Sequence, residues 1–214
     1  MKTLRRIIIV VAALLWCAGC TPGKDDTIIV FGGESNFQTM EDLMKDYLSV
    51  TEQEAFLSEL DIMPNDLLFP PNINGEYKIS MKQYLNSNIG FDFFDDDQDV
   101  LLRVFDQQNR LAKVDFFENG TSRIDDAYVI GKDNLFNLYF KENREMEFMG
   151  KKYRYDRLVV ITGEKDRDGI RNLHFGNVIL EVENSEDPLV GEFQSGWYFI
   201  YKDADGMSEL GNWF

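Results

Sequence analysis

From Gly75 onward the chain alternates apolar and polar residues with a period of two, and no recurring helical segment interrupts the pattern. Successive side chains of a strand point to opposite faces, so a segment of this kind buries one face and leaves the other wet. In GEYKISMKQYL, Tyr77, Ile79 and Met81 share one face, while Glu76, Lys78, Ser80 and Lys82 share the other. Further runs follow: VLLRVFD, LAKVDFF, DAYVIG, LFNLYFKE, RLVVITGE, NLHFGNVILEVE and GWYFIYKD. The connections QQNR, ENGTS, GKDN, EKDRDG, NSEDP and DADG are short and rich in turn formers. Strands joined in this way predict an antiparallel meander, because parallel strands would need a crossover helix between them. Pairing the first strand with the last would leave no exposed edge. The expected fold is therefore mainly β, an eight-stranded antiparallel up-and-down barrel, with a two-sheet sandwich as the alternative. The 17 Phe, 9 Tyr and 3 Trp suit that choice.

Residues 27–70 carry a different signal. TIIVF reads as a short strand closed by Gly32 and Gly33. Met40, Leu43, Met44, Tyr47 and Leu48 then follow helical spacing, with Thr39 and Asp42 as a capping box. Thr51 and Glu54 predict a second capped helix through Leu60, with Phe56, Leu57 and Leu60 facing inward. Pro64 ends that helix and Pro70-Pro71 marks a boundary. The expectation is a small helical element packed on the strand domain.

The first twenty residues have their own logic. Lys2, Arg5 and Arg6 precede an apolar run from Ile7 to Trp16. Ten helical residues cover about 15 Å, half of a bilayer's hydrocarbon core, so the run reads as a leader and not as a membrane span. Ala18, Gly19 and Cys20 resemble the bacterial lipobox, with Cys17 standing where that motif usually carries an aliphatic residue. The resemblance implies cleavage before Cys20 and lipidation of its sulfur. A buried methylene contributes roughly 0.8 kcal/mol, so two or three acyl chains would anchor the protein firmly. The alternative is an ordinary secretory signal with an incidental cysteine. With Cys17 lost and Cys20 acylated, no thiol remains for a disulfide, a catalytic thiolate or a thiolate metal site. TPGKDD, behind Cys20, resembles the surface-export signal of Bacteroidota lipoproteins, and also suits a plain solvated tether.

Charge narrows the partners. Lys2, Arg5 and Arg6 leave with the leader, so 22 basic residues become 19 against 38 acidic ones, a net charge of −19. A surface this negative argues against nucleic-acid phosphates and anionic membrane surfaces as partners.

Three stretches carry a wider resemblance: LFPPNINGEYKIS, VVITGEKDRDGIRNLHFGNVILEVE and YKDADGMSE. Over residues 68–210 the chain resembles a family of uncharacterised Bacteroidota lipoproteins with lipocalin-like barrels. Gly75 and Tyr77 take the place of the lipocalin G-x-W motif, with Tyr in place of Trp. The resemblance implies a lipocalin-like barrel and brings no catalytic residues with it, and a barrel of this size can hold one small ligand at its mouth.

Chemistry is sparse. His174 is the sole histidine and lies in phase with Gly176, Val178 and Leu180. That excludes zinc sites built from several histidines, and a histidine on an apolar face reads first as a hydrogen-bonded structural residue. No G-x-S-x-G elbow occurs. Asp95, Asp97 and Asp99, and Asp203, Asp205 and Glu209, are spaced like oxygen ligands for Ca²⁺, but neither set completes an EF-hand, and polar turns explain both. In GWYFIY, Trp197, Phe199 and Tyr201 alternate with Tyr198 and Ile200, so both faces are apolar. One set fills the core and the other is covered by the helical element or stacks on a ligand.

The sequence thus predicts a leader over 1–19, a lipidated tether over 20–26, a helical element over 27–70 and a β domain over 71–214. The expected role is non-catalytic binding of a small hydrophobic ligand by an outer-membrane, lipid-anchored lipoprotein. Trp197, Tyr198 and His174 are the candidate contacts, and no cofactor is required. A surface glycan-binding or protein-interaction module is the alternative, and an enzyme using clustered carboxylates is the less favoured one.

Overall fold

A computed structural model describes residues 38–62, 69–80, 82–90, 92, 99–118, 120–148, 151–183 and 193–214, with backbone alone for 147, 148, 151 and 152. The expected TIIVF strand and Cys20, the expected point of lipidation, lie outside these residues. Gln38 to Phe214 form one compact unit, so the helices and strands belong together.

Two helices lead. In α1 (Met40–Met44), Thr39 is the N-cap and its side chain accepts from the Asp42 amide, as the sequence predicts. For α2 (Val50–Glu59) the cap lies two residues earlier than predicted. Ser49 forms a reciprocal capping box with Glu52, and Thr51 is already inside the helix. Either pair satisfies the spacing rule, and the extended backbone at Ser49 decides between them. Met40, Leu43, Met44, Leu48, Phe56 and Leu60 are buried, while Tyr47 is exposed.

Ten strands follow: β1 (Gly75–Ile79), β2 (Lys82–Ser87), β3 (Val100–Gln108), β4 (Leu111–Phe117), β5 (Thr121–Lys132), β6 (Leu135–Phe148), β7 (Lys151–Lys165), β8 (Gly169–Val182), β9 (Tyr198–Asp203) and β10 (Met207–Leu210). Their order is β10-β1-β3-β4-β5-β6-β7-β8-β9-β2, and β10 also pairs with β8. Eight of them, β1, β3 to β8 and β10, therefore close a hydrogen-bonded ring. Every pairing is antiparallel.

The registers explain how eight expected strands become ten. Lys202 stands opposite His174, and Met207 opposite Arg171, so β9 and β10 follow the same edge of β8. Ala204, Asp205 and Gly206 form the expected turn, with the Gly206 amide donating to the Asp203 carbonyl, but it leads on to a further short strand, β10. GEYKISMKQYL likewise divides: β1 pairs with β10, and β2 pairs with β9. The tight turns at 109–110 and 133–134 place Asn109 and Asp133 in the left-handed region, where Asn and Asp are tolerated.

Tyr77, Leu102, Val104, Val114, Val129, Phe136, Leu138, Val159, Ile161, Phe175 and Phe199 form the core inside the ring. Residues directly opposite in antiparallel strands share a face, so this core assigns every neighbour to the inside or the outside. The outer face of β6 to β9 is covered by the helices. Phe56 of α2 meets Tyr198 edge-on at 5.5 Å, and Thr162 donates to the Leu60 carbonyl at 2.8 Å. Gly176 has no side chain because Leu60 and Phe56 occupy that space: an added Cβ would come within 2.6 Å of Leu60 Cδ1.

Candidate functional site

The inner faces of β6 and β7 change character along their length. Near the tight turns they carry Phe136, Leu138, Phe140, Val159 and Ile161. Farther along, Glu142 stands opposite Arg157, Arg144 opposite Tyr155, and Met146 opposite Tyr153, all in phase with that apolar face. The sequence predicts strands ending near Glu142 and beginning near Arg157. The actual hairpin is longer, because its inner face exchanges apolar residues for charges that mimic a solvated turn.

These charges are buried. Arg157 Nη1 lies 2.7 Å from Glu118 Oε2, and its Nη2 lies 2.6 Å from Glu142 Oε2. Arg157 Nε donates to the same Glu142 oxygen at 2.8 Å. Lys82 Nζ reaches Glu118 Oε1 at 3.1 Å, and Arg144 Nη1 reaches Glu142 Oε1 at 3.1 Å. Side-chain exposure runs only from 1% at Glu142 to 11% at Arg144. Arg144 also donates to the Glu118 and Gly120 carbonyls, which fixes the β4–β5 turn and so positions Glu118.

Aromatic rings enclose the cluster. Arg157 lies over Phe116 at 5.8 Å, and Lys82 over Tyr201 at 4.6 Å. Tyr155, Phe193, Trp197 and Phe199 follow one another edge-to-face at 5.1, 5.7 and 6.5 Å. Tyr201 donates to Asp92 at 2.7 Å, and burial followed by that bond pushes its phenol up.

One level deeper, Asn177 stands opposite Val159 on one side and Phe199 on the other, so it faces inward. Both polar atoms of its buried side chain have no hydrogen-bond partner among the described residues, and neither does the Tyr153 hydroxyl. Orphans of this kind are rare inside a folded protein and call for a physical reason.

The connections differ at the two ends. At the charged end they span 88–99, 118–120, 149–150 and 183–197, whereas at the other end they span 109–110, 133–134 and 166–168. Tyr84, Ile89, Met146 and Trp197, all half-buried, pack against the core at the charged end. Long connections around one end of a rigid sheet are a common setting for binding.

The electrostatics favour holding over proton transfer. Burial pushes the Glu118 carboxyl up, but Arg157 and Lys82 outweigh it and keep its pKa below the ordinary value. Burial pushes Arg157 down, and Glu118 and Glu142 more than reverse it. Glu118 is thus kept as an anion at neutral pH, unlike a general acid, whose pKa must rise.

The residues singled out from sequence do not converge. Trp197 belongs to the aromatic chain inside, while Tyr198, the next residue, faces outward beneath α2. His174 is on the outer face and lines a cleft of about 300 Å³ with Asp61, Thr162, Glu164 and Asn172. Asp99 pairs with Lys78 at 2.6 Å. Asp203 is buried and accepts from Ser208 Oγ at 2.6 Å, Asp205 accepts from the Met207 amide, and Glu209 is exposed. Asp95 and Asp97 lie outside the described residues. Among the described residues no group of three or more His, Cys, Asp or Glu side chains is placed to hold a metal ion.

Sequence reading passed over Glu118, Glu142, Arg144, Arg157, Tyr153 and Asn177, and it placed Lys82 on the wet face with Lys78, whereas the strand divides before Lys82 and its side chain is buried against Glu118. The available signal was phase: Glu142 and Arg144 continue the parity of Leu138 and Phe140, and Arg157 that of Val159 and Ile161. No protein-family model, curated protein or solved structure matches the chain.

Proposed function

We propose that the protein is a lipid-anchored outer-membrane lipoprotein whose ring acts as a lipocalin-like barrel and holds one small molecule, without catalysis, at the end rimmed by Tyr84, Ile89, Met146 and Trp197. The observation that carries this reading is the buried charge cluster together with the orphaned Asn177 side chain. Desolvating an ion costs several kcal/mol, and a well-packed apolar substitute for a buried ion pair is often the more stable choice. A core selected for stability alone would have continued the Leu138–Phe140 pattern. Charges and unpartnered amide atoms placed beside an aromatic chain, at the end with the longest connections, suit a ligand that supplies the missing partners.

Native mass spectrometry of the protein purified from the envelope of its own cells tests this directly. A retained small molecule that is lost from Asn177→Leu would support the reading and reveal its chemistry. A clean apo mass would turn the choice to a ring whose work is done on its outside, by contact with a glycan or another protein. Anchoring has a separate test. Cys20→Ser should move the protein from the membrane fraction to the soluble one, and unchanged membrane association would overturn the lipid anchor.

A further inference from the structure

A second candidate site lies outside the ring, at the end away from the buried charges. A cleft of about 300 Å³ is lined there by Asp61 and Ile62 just past α2, Leu135 of β6, Glu164 of β7, and Asn172 and His174 of β8. The strands are irregular at this point. Thr162 stands opposite His174 but Glu164 stands opposite Arg171, so three positions of β7 face four of β8. Asn172 sits in that bulge with a φ of 49°, in the left-handed region. The side chains of Asp61, Glu164, Asn172 and His174 make no hydrogen bond or ion pair among the described residues. The neighbouring Arg171, by contrast, is paired with Asp166 at 2.5 Å. Leu135 is 44% exposed and, with Ile62, gives the cleft an apolar wall. A few converging polar groups beside apolar surface are the usual composition of a small-molecule site.

We propose that this cleft binds one sugar ring of a glycan, its hydroxyls set against Asp61, Glu164, Asn172 and His174 and a C–H face against Leu135 and Ile62. The site is separate from the ring interior and does not depend on the binding role proposed for it. Its donor set decides the class. Carboxylates only accept, an amide both donates and accepts, and an imidazole adds a ring N–H. A sugar hydroxyl donates and accepts at once, so a polyol can engage all four side chains. An organic ammonium would engage the carboxylates and leave the amide and imidazole N–H groups unused. A carboxylate or phosphate ligand would face Asp61 and Glu164, and a lipid would use only the apolar wall. Among the described residues no group of three side chains is placed to hold a metal ion instead.

His174 is the sole histidine, so its imidazole signals in a nitrogen-edited NMR spectrum report on this cleft directly. Methyl α-glucoside, methyl α-mannoside and methyl α-galactoside are the probes, with butylammonium as the cationic comparison. At least one glycoside should move the His174 signals saturably, with a Kd of roughly 1–10 mM, and butylammonium should bind more weakly. Glu164→Ala should weaken that glycoside by about tenfold, through loss of a hydrogen bond to a charged acceptor. Asn172→Gly should weaken it to a similar degree, and glycine accepts the left-handed backbone without strain. Unmoved His174 signals with all three glycosides, tighter binding of butylammonium, or glycoside binding unchanged in Asn172→Gly would each overturn the glycan site. The wild-type titrations decide the matter even if a variant does not fold.

Discussion

Glu142 and Arg157 face each other across β6 and β7 inside the ring, with one carboxylate oxygen 2.6 Å from Nη2 and accepting from Nε at 2.8 Å. Both side chains are almost wholly removed from water. The pair turns an otherwise apolar strand face into a charged one, and each side chain depends on the other to be tolerated there.

Removing one partner leaves the other charge buried without compensation. Arg157→Met should therefore cost about 3–5 kcal/mol of folding free energy, because both Glu118 and Glu142 lose their main counter-charge. Urea unfolding measures it, and a loss below about 1 kcal/mol would show that water reaches the cluster freely.

The acid limb of the stability profile should carry the mark of Glu118. Its folded pKa lies below the unfolded value, so its contribution is complete above the ordinary Glu range and is lost as pH falls through the folded pKa. Glu118→Gln should thus be destabilising at neutral pH, and its deficit should shrink as pH is lowered from about 6 to about 3. A deficit independent of pH would argue that sterics, not charge, hold Glu118 in place.

Asp203 behaves in the opposite sense. Burial raises its carboxyl to about 6, while the bond from Ser208 pulls it down and the neighbouring Asp205 pushes it up. The folded protein holds this proton more tightly than the unfolded chain, so the group takes stability away as pH rises from its ordinary 3.8 through the raised value. Asp203→Asn should stabilise the protein at neutral pH by roughly 1–2 kcal/mol, with little gain at pH 4. A gain of equal size at both pH values would rule out the titration.

Gly176 is the seat of α2 on the outer face of β8. A Cβ there would stand 2.6 Å from Leu60 Cδ1 and 2.8 Å from the Phe56 ring. Gly176→Ala should cost about 1–3 kcal/mol, the usual range for overpacking, and loosen the helix against the sheet. Hydrogen exchange of the α2 amides reports this: faster exchange is expected there, with β3 to β5 unchanged.

The position of the α2 cap separates two equally regular sequence patterns. Ser49→Ala should cost about 1 kcal/mol, whereas Thr51→Ala should cost almost nothing. The reverse order would restore the cap expected from the sequence.

The antiparallel meander was legible from Gly75 onward because strand periodicity and turn chemistry are local. Tyr77 and Ile79 declare an inner face without reference to any distant residue, and Asn109 and Asp133 mark tight turns by their own backbone preferences. The double face of β9 was legible too. Trp197, Phe199 and Tyr201 point to the core, and Tyr198 meets the helical element, as the alternating aromatics predict. Stabilisation of that face comes from contacts that local hydrophobicity already anticipates.

The candidate site was not legible, for a physical reason. Arg157, Glu142, Glu118 and Lys82 come from four separate strands or turns, and each alone looks like a residue that belongs in water. A charge is tolerable in the interior only when its counter-charge arrives from elsewhere in the chain, and closure of the ring is what brings them together. Sequence determined which residues form strands, which face of each is apolar and where helices begin to within two residues. Tertiary structure alone decided that the ring encloses charges at one end and that Asn177 faces inward with its amide unpaired among the described residues. Local propensity acts over a few residues, whereas the free energy of a buried charge depends on partners far away in sequence.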